Sequence, residues 1–148
     1  MEWPILIIAF GVGYFLFFMV VALGIIRLPK TKASITHPFV SVLVACKNEE
    51  KDLARCLDAL VAQSYPQGLH EIIVIDDQSE DGTPNIIRDY EKRFPVINYL
   101  CTSDMASTHL RAKARAIAYG ATKAKGEWLF IVDADARVHP DWLSQQQT

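Results

Sequence analysis

The sequence predicts an α/β protein, with a Rossmann-like parallel sheet covered by helices on both faces and preceded by one transmembrane helix. Two observations predict the sheet. Short apolar runs alternate regularly with amphipathic segments of helical period. The runs are almost continuously apolar, which is typical of strands buried on both faces. A third observation, a long uncharged apolar stretch near the N-terminus, predicts the membrane helix.

The N-terminal stretch from Ile5 to Ile26 has no charged residue and is 22 residues long. A helix needs about 20 apolar residues to cross a hydrocarbon core. A cleavable signal fits poorly, because no basic residue precedes the run. Arg27, Lys30 and Lys32 follow it, and such basic flanks mark the cytoplasmic side. We therefore expect a single-pass anchor at residues 1–28 in the cell (plasma or inner) membrane, with the rest of the chain in the cytoplasm.

The rest of the chain divides into a short linker at residues 29–38 and one domain at residues 39–148. Its net charge of −2 gives no reason to expect nucleic-acid binding. The three cysteines are widely spaced, which favours reduced thiols over a disulfide framework. Cys56 falls on the apolar face of a predicted helix and is expected in the core.

Four strands and three helices are expected in alternation, which implies parallel strands joined by crossover helices. Asn48 is expected to cap the first helix and Thr83 the second, with Pro84 at the first position of that second helix. The expected strands are 39–46, 72–75, 96–101 and 127–132, and the expected helices are 49–63, 83–94 and 108–125.

Polar residues follow every predicted strand. Ligands of open parallel sheets bind outside the carboxyl ends of the strands, so these side chains are expected to converge. Close carboxylates repel one another, and a bound cation would offset that cost. The residues are Lys47, Asn48 and Glu49 after the first strand, Asp76 and Asp77 after the second, Ser103 and Asp104 after the third, and Asp133 and Asp135 after the fourth.

The tripeptide Asp133-Ala134-Asp135 is the most informative of these segments. Residues two apart on an extended chain share a face, so both carboxylates could hold one hard divalent cation that also binds a nucleotide diphosphate. The alternative is a solvated turn at a strand end. Lys113, near the start of the third helix, is a candidate diphosphate contact. The neighbouring basic residues are Arg111 and Arg115, whereas Lys123 and Lys125 fit a solvated helix face.

Four segments of the chain resemble the motifs of family 2 glycosyltransferases. The segment at 41–50 resembles the S-V-I-I-P-x-x-N-E-E opening strand, Gln63-Ser-Tyr-Pro66 the Q-x-Y-P turn, and 74–83 the V-V-D-D-x-S-x-D-G-T signature. The stretch from Lys113 through Lys125-Gly-Glu127 to Asp133-Ala-Asp135 resembles the lead into the D-x-D motif. Their common order and spacing, across residues 40–142, make the resemblance specific.

The resemblance implies a partial GT-A fold that binds a nucleotide-diphospho-sugar with Mg²⁺ or Mn²⁺. It departs from the family pattern at Ala45, Gln78 and Ala118, and the last of these puts one ribose or phosphate contact in doubt. By position, Glu49, Asp76 and Asp77 would contact the nucleobase and ribose. Lys113 would contact the nucleotide and diphosphate, Asp133 the sugar or ribose, and Asp135 together with Asp133 the metal.

The activity that follows from the resemblance is sugar transfer to a lipid or polysaccharide acceptor at the cytoplasmic membrane face. The family's general base is usually an acid in an E-D dipeptide well beyond the D-x-D motif. Here thirteen residues follow Asp135, and Asp141 is the only acid among them. We therefore expect a truncated, donor-binding portion of a longer enzyme, with transfer weak or absent.

Three other interpretations remain open from the residues. A non-catalytic, membrane-anchored fragment that binds a nucleotide-sugar is the first. A nucleotidyltransferase is less favoured, because Lys47-Asn-Glu-Glu50 lacks the glycine- and arginine-rich loop of that class. A receiver-like signalling module would need its acidic pair after the first strand, whereas Asp76 and Asp77 follow the second.

Overall fold

A computed structural model describes residues 3–26, 37–105 and 109–146. The chain divides into two compact units, Met1–Lys32 and Ala33–Thr148. The first contains helix α1, Trp3–Ile26. No helix in the described part of the chain combines the length and apolar character needed to cross a membrane, so the anchor predicted at 1–28 is not supported. The basic flank and most of the linker predicted at 29–38 lie outside the described residues.

The second unit is built on a four-stranded parallel sheet in the order β3-β2-β1-β4. This confirms the predicted α/β class. Each expected strand and helix of this unit is present, with ends shifted by a few residues. The strands are β1 Val40–Cys46, β2 His70–Asp76, β3 Ile97–Cys101 and β4 Trp128–Asp133, and the helices are α2 Leu53–Val61, α3 Thr83–Arg93, α4 Ala112–Lys123 and α5 Trp142–Gln145.

Helices cover both faces of the sheet, as the apolar strands predict. On one face, the apolar sides of α2, α3 and α5 pack on alternate residues of β1 and β2, with Cys56 fully inside this core. On the other face, α4 packs through Ala116 on Leu43, Ile73 and Ile75. Gly120 brings α4 close to the sheet, since a Cβ there would lie 2.8 Å from the Ile75 side chain.

Strand β1 lies in the middle of the sheet and sets the positions of its neighbours. Ala45 is opposite Asp133 of β4, and Cys46 is opposite Asp76 of β2. The carboxyl ends of the three strands therefore finish side by side. The chain adds β2 and β3 on one side of β1 and then returns to add β4 on the other, so the strand order reverses between β1 and β4.

Strand β4 is at the edge of the sheet and pairs only with β1 within the described residues. Its apolar side chains are unusually exposed for a parallel strand. Trp128 and Leu129 are each 45% exposed and Ile131 is 53% exposed.

The loops after β1 and β2 are joined by Asn48, which is not the helix cap that the sequence predicts. Its backbone has a φ of 56°, in the left-handed region that asparagine tolerates better than most residues. The Asn48 backbone N–H donates to Ser79 Oγ, and the Glu80 N–H donates to Asn48 Oδ1, both at 2.8 Å. Helix α2 begins at Leu53, after a turn that starts at Glu49.

The start of α3 is likewise capped by a neighbour of the predicted residue. Asp81 Oδ1 accepts the Thr83 N–H at 2.9 Å, while Thr83 Oγ1 accepts the Glu49 N–H at 2.8 Å. Each loop therefore satisfies backbone groups of the other, which fixes Glu49 at the end of β1.

A buried carboxylate holds the turn before β4. Glu71, 6% exposed, accepts hydrogen bonds from Ser41 Oγ at 2.6 Å and from Lys125 N–H at 2.7 Å. Gly126 N–H donates to Ser41 Oγ at 2.8 Å. A Cβ on Gly126 would lie 2.4 Å from the Ser41 backbone nitrogen, so only glycine fits this approach. These contacts give the Lys125-Gly-Glu127 segment a structural role, which is to hold the turn before β4.

We predict that Gly126→Ala lowers the free energy of unfolding by about 1–3 kcal/mol, because the added methyl group displaces backbone rather than a flexible side chain. Urea denaturation followed by circular dichroism measures this. Lys125→Ala is the matched control: it keeps the N–H that Glu71 accepts and should change stability by less than about 0.5 kcal/mol. Equal stabilities for the two variants would contradict the prediction.

We predict that Asn48→Ala costs about 1–2 kcal/mol, since it removes the side-chain acceptor of the Glu80 N–H and places alanine in the left-handed region. Asn48→Asp keeps the acceptor oxygen and should retain more of the stability. Thermal and urea denaturation compare the two variants with the wild type. A larger loss in Asn48→Asp than in Asn48→Ala would contradict the role of the acceptor.

Candidate functional site

A cavity of about 390 Å³ lies over the carboxyl ends of β1, β2 and β4. Most residues predicted for the site line it, so the structure brings them together. The predicted residues are Glu49, Asp77, Lys113, Asp133 and Asp135, and the other lining residues are Ala45, Cys46, Lys47, Ala112, Ala116 and Ala134. The cavity sits where the strand order reverses, which is where ligands of open α/β sheets bind.

Asp76 is the predicted site residue that the structure places elsewhere. It is 2% exposed and lines a neighbouring cavity instead. Its Oδ1 accepts the Ser79 N–H at 2.9 Å and its Oδ2 accepts the Tyr99 hydroxyl at 3.2 Å. Successive residues of an extended strand point to opposite faces, which separates Asp76 from Asp77. The predicted nucleotide contact of Asp76 stays a prediction, and its visible contacts hold the turn after β2.

Asp77 is a nearly buried carboxylate that two other elements hold in place. Arg115 donates to Asp77 Oδ1 from Nε at 3.2 Å and from Nη2 at 2.5 Å, and Thr102 Oγ1 donates to the same oxygen at 2.8 Å. Burial alone would raise the pKa of Asp77, but these hydrogen bonds and the Arg115 charge outweigh it, so the pKa lies below its usual value. Asp77 is therefore ionised at neutral pH.

Lys113 and Asp133 form an ion pair across the cavity. Lys113 is near the start of α4 and Asp133 ends β4, so the pair joins two elements that are distant in sequence. Both side chains are more than half exposed, so the pair contributes little to stability and both groups remain accessible to a ligand. Ala112, just before Lys113, has a φ of 47°, an uncommon conformation for alanine.

The carboxylates of Asp133 and Asp135 are the candidate metal ligands. No group of three or more His, Cys, Asp or Glu side chains in the described part of the chain could hold a metal ion by itself. Two carboxylates nevertheless suit Mg²⁺ or Mn²⁺, since such ions are usually bound by one or two carboxylates together with substrate phosphates and water. The donor set therefore fits a cation that arrives with a diphosphate.

The two thiols beside the site are not nucleophiles. Burial, with a contribution from Asp76, raises the pKa of Cys46 to about 12. Burial, with contributions from Asp135 and Asp133, raises the pKa of Cys56 to about 11. Both cysteines are protonated at neutral pH, and the thiol is the unreactive form.

The segment that follows Asp135 is tied to the end of α2 by the Gln63-Ser64 pair. Gln63 Nε2 donates to the His139 carbonyl at 2.8 Å, and Gln63 Oε1 accepts the Leu143 N–H at 3.0 Å. Ser64 N–H donates to the Pro140 carbonyl at 2.8 Å, and Ser64 Oγ also contacts Asp141. The Gln-x-Tyr-Pro motif thus fixes the exit of the acidic tripeptide. Asp141 does not line the cavity.

Arg115 and Thr102 are the site residues whose roles the sequence did not reveal. Arg115 was visible only as one of several basic residues on a helix, and Thr102 precedes the polar pair noted after β3. Their partner, Asp77, is 38 residues from Arg115 and 25 from Thr102. No local sequence pattern predicts contacts between residues that are so far apart in the chain.

The cavity can bind a ligand that is both anionic and polar. Lys113 and Lys47 provide positive charge, while Asp133 and Asp135 provide oxygen ligands for a cation. Asp77 and Glu49 provide acceptors for hydroxyl or ring N–H groups. A nucleoside diphosphate with its metal has a matching group for each: the phosphates for the lysines, the cation for the oxygen ligands, and the hydroxyl or ring N–H groups for the acceptors.

Comparison with known proteins gives related sequences for this part of the chain. The chain is 38% identical over 106 residues to the beta-monoglucosyldiacylglycerol synthase of Trichormus variabilis, covering 72% of this chain and 22% of that protein. It is 29% identical over 110 residues to the glycosyltransferase AglE of Haloferax volcanii, covering 74% of this chain and 34% of AglE. The chain thus spans about a third or less of these relatives.

Solved structures share the fold. The mannosyltransferase PcManGT from Pyrobaculum calidifontis, in complex with GDP-Man and Mn²⁺, matches with a TM-score of 0.69 and 28% identity, over 95% of this chain and 41% of that one. S. aureus TarS in complex with UDP matches with a TM-score of 0.59 and 24% identity, over 72% and 30% of the two chains. The four-stranded sheet is therefore consistent with part of a GT-A fold.

Residues 41–148 match the family described as glycosyl transferase family 2. The matched residues include all four strands, except the first residue of β1, and every residue that lines the cavity. With the sheet order, the cavity and the relatives in agreement, the chain belongs to glycosyl transferase family 2.

Proposed function

We propose that this chain is the donor-binding portion of a glycosyltransferase that moves a sugar from a nucleotide-diphospho-sugar to a lipid or polysaccharide acceptor. One observation carries the proposal: Glu49, Asp77, Lys113, Asp133 and Asp135, from four separate segments, line one cavity at the switch point of the sheet. The chain's membership of the family supports the reaction class.

The nucleoside would lie toward Glu49 and Asp77, which end β1 and β2. Asp77 is ionised and held by Arg115, so it can accept a hydrogen bond from a ribose hydroxyl or a ring N–H. Glu49 is fixed by its N–H bond to Thr83. Lys113 would leave Asp133 and pair with the diphosphate, whose higher charge attracts the ammonium more strongly.

Asp135 and Asp133 would hold the divalent cation. When bound, Mg²⁺ or Mn²⁺ would neutralise the charge that develops on the departing diphosphate. The structure of PcManGT contains Mn²⁺ and GDP-Man, which supports a divalent ion in this fold. Lys113 would add to that charge stabilisation from the helix side of the cavity.

The acceptor and the location of the protein are the least constrained parts of the proposal. The relative from Trichormus variabilis is named for a diacylglycerol product, which supports a lipid acceptor. Inverting transfer needs a base beside the acceptor hydroxyl, and the acids that line the cavity are already assigned to donor and metal. We propose weak or absent transfer by the 148 residues alone, and action at the cytoplasmic face of the cell membrane.

We predict that the chain binds UDP-sugars or GDP-sugars with Mn²⁺ and that Asp135→Ala weakens binding at least tenfold by removing a cation ligand. Isothermal titration with and without Mn²⁺ measures this. Asp77→Ala should weaken binding to the nucleoside with or without metal. Asp89→Ala, whose exposed side chain on α3 lies outside the cavity, is the matched control and should bind like the wild type.

Two outcomes would contradict this prediction. Equal affinities for the wild type, Asp135→Ala and Asp77→Ala would show that these two carboxylates do not form a donor site. Tight binding of a nucleoside triphosphate, with no binding of nucleotide-sugars, would favour the nucleotidyltransferase alternative.

We predict that cell fractionation recovers the protein with the membranes, where the proposed lipid acceptor lies. We also predict that protease added to intact cells leaves residues 39–148 uncut, because the basic residues Arg27, Lys30 and Lys32 predict a cytoplasmic domain. Recovery of the protein in the soluble fraction would contradict the predicted location without affecting donor binding.

A further inference from the structure

The guanidinium of Arg115 lies against Asp77, one of the residues that line the cavity. Arg115 is on α4, and its side chain is 30% exposed, whereas the Asp77 carboxylate it contacts is 7% exposed. Arg115 is not among the residues that line the cavity, although Asp77 is. An arginine in this position can act on a ligand through Asp77.

All the hydrogen bonds to the Asp77 side chain fall on one oxygen. Oδ1 accepts from Arg115 Nε, from Arg115 Nη2 and from Thr102 Oγ1. Among the described residues, none donates to Oδ2. A carboxylate can accept on both oxygens, so this asymmetry leaves Oδ2 as the acceptor available to a ligand. The two bonds from a planar guanidinium also prevent the carboxylate from rotating.

We propose that Arg115 is a positioning residue of the donor site, which holds Asp77 Oδ1 so that Oδ2 accepts a hydrogen bond from the nucleoside of the donor. This inference rests on the proposed function, because it needs a nucleoside in the cavity. It adds a residue that makes no contact with the donor yet sets how well the donor is bound.

Electrostatics support the geometry. Arg115 favours the ionised form of Asp77 and helps to hold the pKa of that carboxyl below its usual value. Without Arg115, burial would raise the pKa, and Asp77 would protonate at a higher pH. The charged groups around this carboxylate are Lys47 and Glu49 after β1, Asp76 beside it on β2, Lys113 and Arg115 on α4, and Asp133 and Asp135 after β4. All except Arg115 are unchanged in an Arg115 variant.

The test is the affinity for UDP and GDP with Mn²⁺, measured by isothermal titration between pH 5 and pH 8 on the full chain. We expect Arg115→Met to bind roughly tenfold more weakly at neutral pH, the range expected for loss of a charge-assisted contact. We also expect its affinity to fall on acidification at a higher pH than in the wild type. Lys123→Met, on the last turn of the same helix, is the matched control and should match the wild type.

Two further variants separate positioning from a general structural role. Arg115→Lys keeps the charge but not the planar fork, so its affinity should lie between those of the wild type and Arg115→Met. In an Asp77→Asn background, Arg115→Met should weaken binding less than twofold, because the two residues act as one unit. Should Arg115→Met fail to fold, as judged by circular dichroism, the comparison with Arg115→Lys carries the test.

Three results would overturn the inference. The first is a pH profile in Arg115→Met that parallels the wild type. The second is an undiminished effect of Arg115→Met in the Asp77→Asn background. The third is an affinity of Arg115→Lys equal to that of the wild type at every pH. If the wild type binds neither nucleotide with Mn²⁺, the proposed function fails together with the inference, whereas the three results above leave it standing.

Discussion

The parallel pairing of β4 with β1 is the constraint on which the rest of the second unit depends. It places Asp133 opposite Ala45, beside the end of β1 and one strand away from Asp77. Because the strand order reverses at this pair, the chain leaves β1 toward α2 on one face while α4 covers the other. The cavity is the space between the segment that leaves β1 toward α2 and the start of α4. A shift of register by one residue would turn Asp133 to the opposite face of the sheet and dissolve the site.

Charge within the cavity is only partly balanced before any ligand arrives, because four acids and two lysines line it. Asp77 is paired with Arg115 and Asp133 with Lys113, so two of the acids are compensated by residues of α4. The two pairs differ in exposure, and this difference separates their roles. The Arg115 pair is the more buried of the two, whereas the Lys113 pair is exposed and, under the proposed function, would exchange partners when a diphosphate and a cation enter.

Much of the fold and most of the site could be predicted from the sequence, because both depend on local patterns. Apolar runs and helical periods located the four strands and the helices α2, α3 and α4 of the second unit, whereas the short helix α5 was not predicted. The sheet rule then gathered the polar strand ends. The predictions that were wrong depend on contacts between residues that are distant in sequence. Asn48 was expected to cap α2, but its backbone N–H and its side-chain oxygen bond to a loop about 30 residues away. Asp76 differs from Asp77 only in the face to which it points, and the two acids look equivalent in the sequence.

The exposed apolar edge at β4 has a consequence for the behaviour of this chain in solution. Leu129 and Ile131 face outward beside a row of backbone groups without a strand partner among the described residues. Such edges attract other extended chains, and concentrated protein would tend to associate there into dimers or larger aggregates. Asp133 lies at the end of this same strand. Association along the edge would therefore obstruct access to the proposed metal ligands, and apparent affinity for the proposed donor would fall as protein concentration rises.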